Sequence, residues 1–226
     1  MRRAAQFAVV LLLLAVVSRA EVIDRIAAVV NGEPILQSDW EIALRCEAFL
    51  AQRPLDLSPQ AARPVLDRLI DQELLQQQIR SFHLQPVSQN EVRSRLQQVR
   101  QQIPGAASDA GWQAALQHYG INEAELSQRA AEQLAITRFV DLRLRPTVRL
   151  DRASIETYYR DKLLPELKKK GAGEVPLAQV TRQIEEILSQ ERMDTMLNEW
   201  LRELRQQSEI KINLPPGSPS PGQEAR

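Results

Sequence analysis

The chain has 226 residues, and its 29 Lys and Arg residues balance its 29 Asp and Glu residues. A neutral chain with 4% aromatic residues has no basic field for nucleic acid. The single cysteine, Cys46, cannot close an intramolecular disulfide, and with only two histidines a Cys/His zinc site is nearly excluded. Many Gln and Leu residues and few Gly residues favour long helices over a β-sandwich or a doubly wound sheet.

The first twenty residues have the pattern of a secretory signal. Arg2 and Arg3 precede an apolar run over 7–17, and small residues at Ser18 and Ala20 suit the −3 and −1 positions of a cleavage site. The run is shorter than the roughly 20 apolar residues of a spanning helix. We therefore predict a cleaved signal peptide, a periplasmic protein and no stable membrane anchor.

Two short segments near the ends of the chain predict strands. Residues 22–30 are apolar and β-branched, and the Asn31–Gly32 pair before Ile35 is a strong hairpin signal. Residues 209–214 alternate apolar and polar side chains, as in a strand with one wet face. Because a lone C-terminal strand needs a partner, we predict that the two ends of the chain meet in one small sheet.

The residues between these strands predict a mostly α fold. Ser38 or Asp39 is expected to cap the first helix, and Pro54, Pro59 and Pro64 predict a loop or a broken helix. Capping signals and apolar periodicity then predict helices over 65–82, 88–102, 109–119, 123–144, from 151 to an interruption at 165, and 176–207.

The predicted organisation has five parts: signal peptide (1–20), N-terminal helical module with the hairpin (21–162), solvated linker (163–175), long helix and strand that complete the same module (176–214), and a Pro/Gly/Ser tail expected to be disordered (215–226).

The chain resembles SurA-type periplasmic chaperones in three stretches. The first is 26–39, with a strand, an Asn-Gly turn, a strand and a Ser-Asp helix start. The second runs from Trp112 through Glu132–Leu134 and 143–146 to Tyr158 and Tyr159, and the third from Glu191 to Ile212. In that family the last helix and strand fold back onto the N-terminal domain, so the resemblance implies the same closed chaperone core.

The chain also departs from this family. Such chaperones usually carry parvulin-type prolyl isomerase domains before the final helix. The interval 163–175 cannot hold a domain of roughly 90 to 100 residues. His83 and His118 lie outside this interval, whereas a parvulin site uses paired histidines. The resemblance therefore implies a chaperone core that is not an enzyme.

The candidate client-binding residues are aromatic, because a chaperone must offer apolar surface to unfolded chains. The alternative is that these rings form the core, which we favour for Trp40 and Trp200 on regular apolar stripes. Glutamine amides are a second candidate, since they bind an extended backbone without charge selectivity. The candidate aromatic residues are Trp112, Tyr119, Phe139, Tyr158 and Tyr159.

Other reactive residue types have ordinary interpretations. The two histidines lack a third ligand or a triad partner, and Cys46 is expected to pack within a helix bundle. Without a P-loop, ATP-driven cycling is not supported. We predict no catalytic residues, no metal and no cofactor.

Three functions remain open. The first is an ATP-independent chaperone that binds unfolded outer-membrane or secreted proteins, and the second is an adaptor for one dedicated partner. The third, a prolyl isomerase, is disfavoured by the missing domain. A continuous groove would favour the chaperone, whereas a small flat patch would favour a fixed partner or a homodimer.

Overall fold

The structure, a computed structural model, describes residues 24–82, 84–171 and 173–213. The predicted mostly α fold with a small sheet is confirmed. The predicted signal peptide (1–20), the tail (215–226) and His83 lie outside the described residues. The elements are β1 (Ile26–Val30), β2 (Glu33–Leu36), α1 (Gln37–Leu50), α2 (Pro59–Ser81), α3 (Gln89–Gln102), α4 (Asp109–His118), α5 (Glu123–Leu144), α6 (Arg152–Tyr158), α7 (Leu164–Lys169), α8 (Leu177–Gln207) and β3 (Ile210–Ile212).

The sheet joins the two ends of the chain, as predicted. Its strand order is β2-β1-β3, and both pairings are antiparallel. Asn31 and Gly32 have φ angles of 52° and 89°, which a two-residue type I′ hairpin turn requires. Opposite the hairpin, Val30 pairs with Ile210 in β3, and Lys211 points to solvent. The alternation in the sequence therefore corresponds to one half-buried face, with Ile210 and Ile212, and one face in solvent.

Asn31 ties the hairpin turn to two other elements. Its amide nitrogen Nδ2 donates to Oε1 of Gln77 in α2 at 2.8 Å and to the Ser208 hydroxyl at 3.1 Å. Its Oδ1 accepts the backbone N–H of Glu209 at 2.9 Å. Its own backbone N–H donates to the Glu209 carbonyl at 2.8 Å. The sequence predicted the turn but not these contacts, which hold β3 beside β1.

Two clusters of buried side chains form the core. The first lies between the sheet, α1, α2, α5 and α8 and includes Ala28, Val30, Leu66, Ile70 and Leu74. The second lies between α1, α3, α4 and α5 and includes Cys46, Phe49, Val99, Trp112, Leu116 and Leu126. Because α1 supplies buried residues to both clusters, it fixes their relative position. Trp40 is buried in the first cluster, as predicted, and Trp200 packs half-buried against it.

Helix starts follow the capping signals at some positions and not at others. The Asn122–Glu125 capping box is confirmed, because each side chain accepts the other residue's backbone N–H at 2.9 Å. The prediction that Ser38 or Asp39 is the first cap was wrong, since α1 already begins at Gln37. Asp39 instead reaches back from the first turn and accepts the Leu36 N–H at 3.2 Å.

The prolines disturb the helices less than predicted. The expected loop or broken helix was wrong for Pro59 and Pro64, because α2 begins at the first and continues through the second. Pro59 stands at the first helical position, where its missing N–H has no partner to lose. Before Pro165 the chain forms a π-helical turn over Tyr159–Leu163, and the helix resumes as α7. This wider turn accommodates the proline without ending the helix.

We predict that Asn31→Gly lowers the free energy of unfolding by about 1 kcal/mol, because glycine keeps the positive φ but loses the side-chain hydrogen bonds. Asn31→Ala should lower it by about 1 kcal/mol more, since alanine also disfavours the left-handed conformation. Urea unfolding followed by circular dichroism measures both changes. If Asn31→Gly were as stable as the wild type, the side-chain hydrogen bonds of Asn31 would contribute nothing to the closure.

Candidate functional site

Two adjoining cavities form a groove along α2 and α5, which we call the α2–α5 groove. The first cavity, of about 380 Å³, is bounded by β2, α1, α2 and α5. The second, of about 290 Å³, is bounded by α1, α2, α3 and α5. Leu69, Gln72, Arg129 and Glu132 line both cavities, so the groove is continuous.

Helical spacing places the groove residues on faces that point away from the core. On α2, Leu66, Ile70 and Leu74 are buried in the first cluster. Leu69, Gln72 and Gln76, at intervals of three and four residues, share the neighbouring face and line the groove. On α5, the groove-lining residues repeat in the same way at Glu125, Gln128, Arg129 and Glu132.

The first cavity combines an apolar floor with amide groups. Ile35, Ile42 and Leu69 supply the apolar surface. Gln72 and Gln76 are half-buried at its wall, and neither side chain forms a hydrogen bond to any described residue. These amides are therefore available to the backbone of a bound chain, as the glutamine hypothesis required.

The second cavity is more apolar. Leu50, Val65, Leu96, Val99, Leu126 and Ala130 line it. Leu50 keeps 49% of its surface exposed, which is high for a large apolar side chain beside the core. This end of the groove can receive apolar side chains from another molecule.

Cys46 lies in the wall of the second cavity and is buried, as predicted. Burial raises the pKa of its thiol to about 11, with smaller contributions in the same direction from the carboxylates of Glu125 and Glu47. The Arg129 guanidinium opposes this rise in pKa. Cys46 is therefore a neutral, apolar part of the wall near pH 7 rather than a nucleophile.

Arg129 stands where the two cavities meet. Its Nη2 donates to the Asp39 carbonyl at 2.7 Å, which ties α5 to the start of α1. Its Nε is buried and has no hydrogen-bond partner among the described residues. A buried N–H without a partner is costly, and because this atom is buried, a chain bound in the groove cannot reach it in this conformation.

Two of the five predicted aromatic residues are inside the core. Trp112 is 4% exposed and packs edge-on against Phe49, with ring centroids 5.7 Å apart. Its indole Nε1–H donates to Glu123 at 2.9 Å. Phe139 is 1% exposed and packs against Phe82 with centroids 5.4 Å apart. In this conformation both rings contribute to packing.

The other three aromatic residues are half-buried. Tyr119 packs edge-on against Phe49 at 5.7 Å. Tyr158 ends α6, and the Tyr159 hydroxyl in the π turn donates to the Val175 carbonyl at 2.7 Å. The predicted rings thus lie in three places, at α4 and its end, on α5, and at the end of α6 with the π turn, and none of them lines the α2–α5 groove. Client contact at these rings stays a prediction.

Leu69, Gln72 and Arg129 were not predicted as site residues. The sequence did contain a signal for the wall of the groove on α2, because Leu69, Gln72 and Gln76 follow each other at helical spacing beside the buried stripe. The part played by Arg129 depends on how α5 packs against α1 and α2, which no local pattern reports.

Two kinds of site are absent from the part of the chain that the structure describes. Over 24–82, 84–171 and 173–213, no three His, Cys, Asp or Glu side chains are grouped so that they could hold a metal ion. Within the same ranges, no helix has both the length and the apolar composition needed to cross a membrane.

Comparison with known families identifies the family of this chain. Residues 1–140 match the family model described as the SurA-like N-terminal domain. Because the match covers more than half of the chain, the protein belongs to this family, and no parvulin domain is shown beside it. The family is a periplasmic, non-catalytic chaperone module. The groove residues all lie inside the matched range. The chain matches no curated protein.

We predict that the Cys46 contribution to stability is present below about pH 9 and is lost as the pH rises through about 11. The unfolded thiol ionises near its ordinary pKa of 9.0, whereas the folded thiol stays neutral, so alkaline pH favours unfolding. Between pH 9 and 11 the wild type should lose about 2 kcal/mol more than Cys46→Ala does in urea unfolding. If the free energy of unfolding fell equally in the two proteins between pH 9 and 11, this prediction would be wrong.

Proposed function

We propose that the protein is an ATP-independent periplasmic holdase that binds extended segments of unfolded proteins in the α2–α5 groove. The observation that supports this proposal is a continuous groove with an apolar floor and amides that have no hydrogen-bond partner among the described residues. Membership of the SurA-like N-terminal domain family supports a chaperone-type role.

The groove offers both kinds of contact that an extended chain needs. Apolar side chains of the client would pack on Ile42 and Leu69 in the first cavity and on Leu96 in the second. Its backbone would bond to the Gln72 and Gln76 amides. Each contact is weak, and together they suit micromolar affinity and passive release without a nucleotide.

The proposed clients are unfolded outer-membrane proteins, which the chain would meet in the periplasm after signal-peptide cleavage. Their barrel strands alternate apolar and polar side chains, so an extended strand offers apolar groups on one side and backbone groups throughout. Isomerase activity is not part of the proposal, because residues 163–175 leave no room for a parvulin domain. An adaptor for one partner is the alternative that the experiment separates.

We predict that Leu69→Gln and Gln72→Leu each weaken suppression of aggregation at least about threefold. The first substitution removes apolar floor from both cavities, and the second removes an amide while keeping the helix. The assay dilutes an unfolded outer-membrane barrel protein from urea into the purified protein without ATP and follows light scattering. The matched control is Ile187→Gln, which changes an exposed apolar residue on α8 outside the groove.

The holdase proposal expects near-stoichiometric suppression by the wild type and by Ile187→Gln, with no acceleration in a prolyl-peptide isomerisation assay run in parallel. Urea unfolding of each variant separates lost binding from lost stability. No suppression by the wild type would reject a general holdase in favour of a dedicated partner. Equal suppression by all variants would remove the groove as the site.

A further inference from the structure

We infer that the α2–α5 groove has an acidic end and a basic end, and that it selects extended client segments with a matching charge pattern. This inference rests on the proposed function and specifies its substrate class. The preferred segment has an apolar run with a Lys or Arg residue at one end and an Asp or Glu residue at the other. The segment is internal to the client chain.

The first cavity is the acidic end. Three carboxylates, Asp39, Glu73 and Glu125, and one guanidinium, Arg80, line this cavity and not the second. Arg80 is paired with Glu73 at 2.8 Å. The carboxylates of Asp39 and Glu125 accept backbone N–H groups and form no ion pair with any described residue. They are therefore available to a cationic side chain.

The second cavity is the basic end. Arg68 and Arg95 line this cavity and not the first, together with one carboxylate, Glu47. Glu47 is engaged by Arg68, whose Nε lies 3.0 Å from its Oε1. Arg95 donates to the amide oxygen of Gln98 at 3.4 Å and forms no ion pair with any described residue. It is therefore available to an acidic side chain.

The junction between the two ends suits a backbone rather than a chain terminus. Arg129 and Glu132 line both cavities there, so the junction carries one guanidinium and one carboxylate. A chain that ended at this point would fill only one of the two cavities. An internal segment fills both cavities and brings only a neutral carbonyl to the junction.

Three fluorescent peptides of about twelve residues test the charge pattern. All have blocked ends and the same apolar core, and they differ only in their flanks: Lys and Glu, Glu and Glu, or Lys and Lys. Fluorescence anisotropy measures their affinities for the purified protein. The Lys/Glu peptide should bind most tightly, and the Glu/Glu peptide about fivefold more weakly. The difference should shrink in 0.5 M salt as a result of screening.

Glu125→Gln identifies the residue behind the preference. Glutamine can still serve in the capping box with Asn122, so α5 keeps its start while the cavity loses a charge. The advantage of the Lys/Glu over the Glu/Glu peptide should fall about twofold. The control is Glu199→Gln. Glu199 is exposed on α8, lies outside the groove and takes no part in a helix cap, so this variant should keep the advantage of the Lys/Glu peptide over the Glu/Glu peptide.

The outcomes separate the two proposals. Equal affinities for the three peptides, or an advantage that survives Glu125→Gln, would overturn the charge preference. If the three peptides bound the wild type equally and all bound Leu69→Gln more weakly, the holdase proposal would still stand. If no peptide bound while aggregation was suppressed, both the charge preference and the groove as the client site would be rejected.

Discussion

The fold depends on closing the two ends of the chain against each other. Asn31 joins the hairpin turn to α2 and to the residues before β3. A second tie lies further up α8, where Arg205 donates to Asp71 of α2 at 2.6 Å and to the Asp67 carbonyl at 2.8 Å. Without these contacts β1 would lose its neighbour β3, and its backbone groups on that edge would lose their ladder partners.

The same packing that forms the core also builds the groove. Leu66, Ile70 and Leu74 hold one face of α2 in the first cluster, so the adjoining face with Leu69 and Gln72 is held in a fixed position. Phe49 and Leu126 hold α1 and α5 from the second cluster. The groove therefore lies between the two packed clusters, and core residues such as Val65 and Leu126 both set its width and line its second cavity.

Local chemistry explains which features the sequence could predict. The Asn31–Gly32 turn, the Asn122–Glu125 capping box and the final helix are set by neighbouring residues, and they appear as expected. The start of α2 at Pro59 was missed because proline at a first helical position resembles proline in a loop. The groove was missed because Gln and Arg look like ordinary surface residues until two helices are brought together. Large rings such as Trp112 were drawn into the core instead, where burying them is most favourable.

The closure at Asn31 also sets an order in time. The hydrogen bond between Asn31 and Glu209 spans a sequence separation of 178 residues. A chain is synthesised from its N-terminus, and contacts of long separation form late because they must first close a long loop. The second cluster, whose buried members lie between Cys46 and Leu126, can pack while the rest of the chain is still emerging. The first cluster is completed only by Leu204 of α8 and by Ile210 and Ile212 of β3, so an interrupted chain would hold an incomplete core and an open central strand.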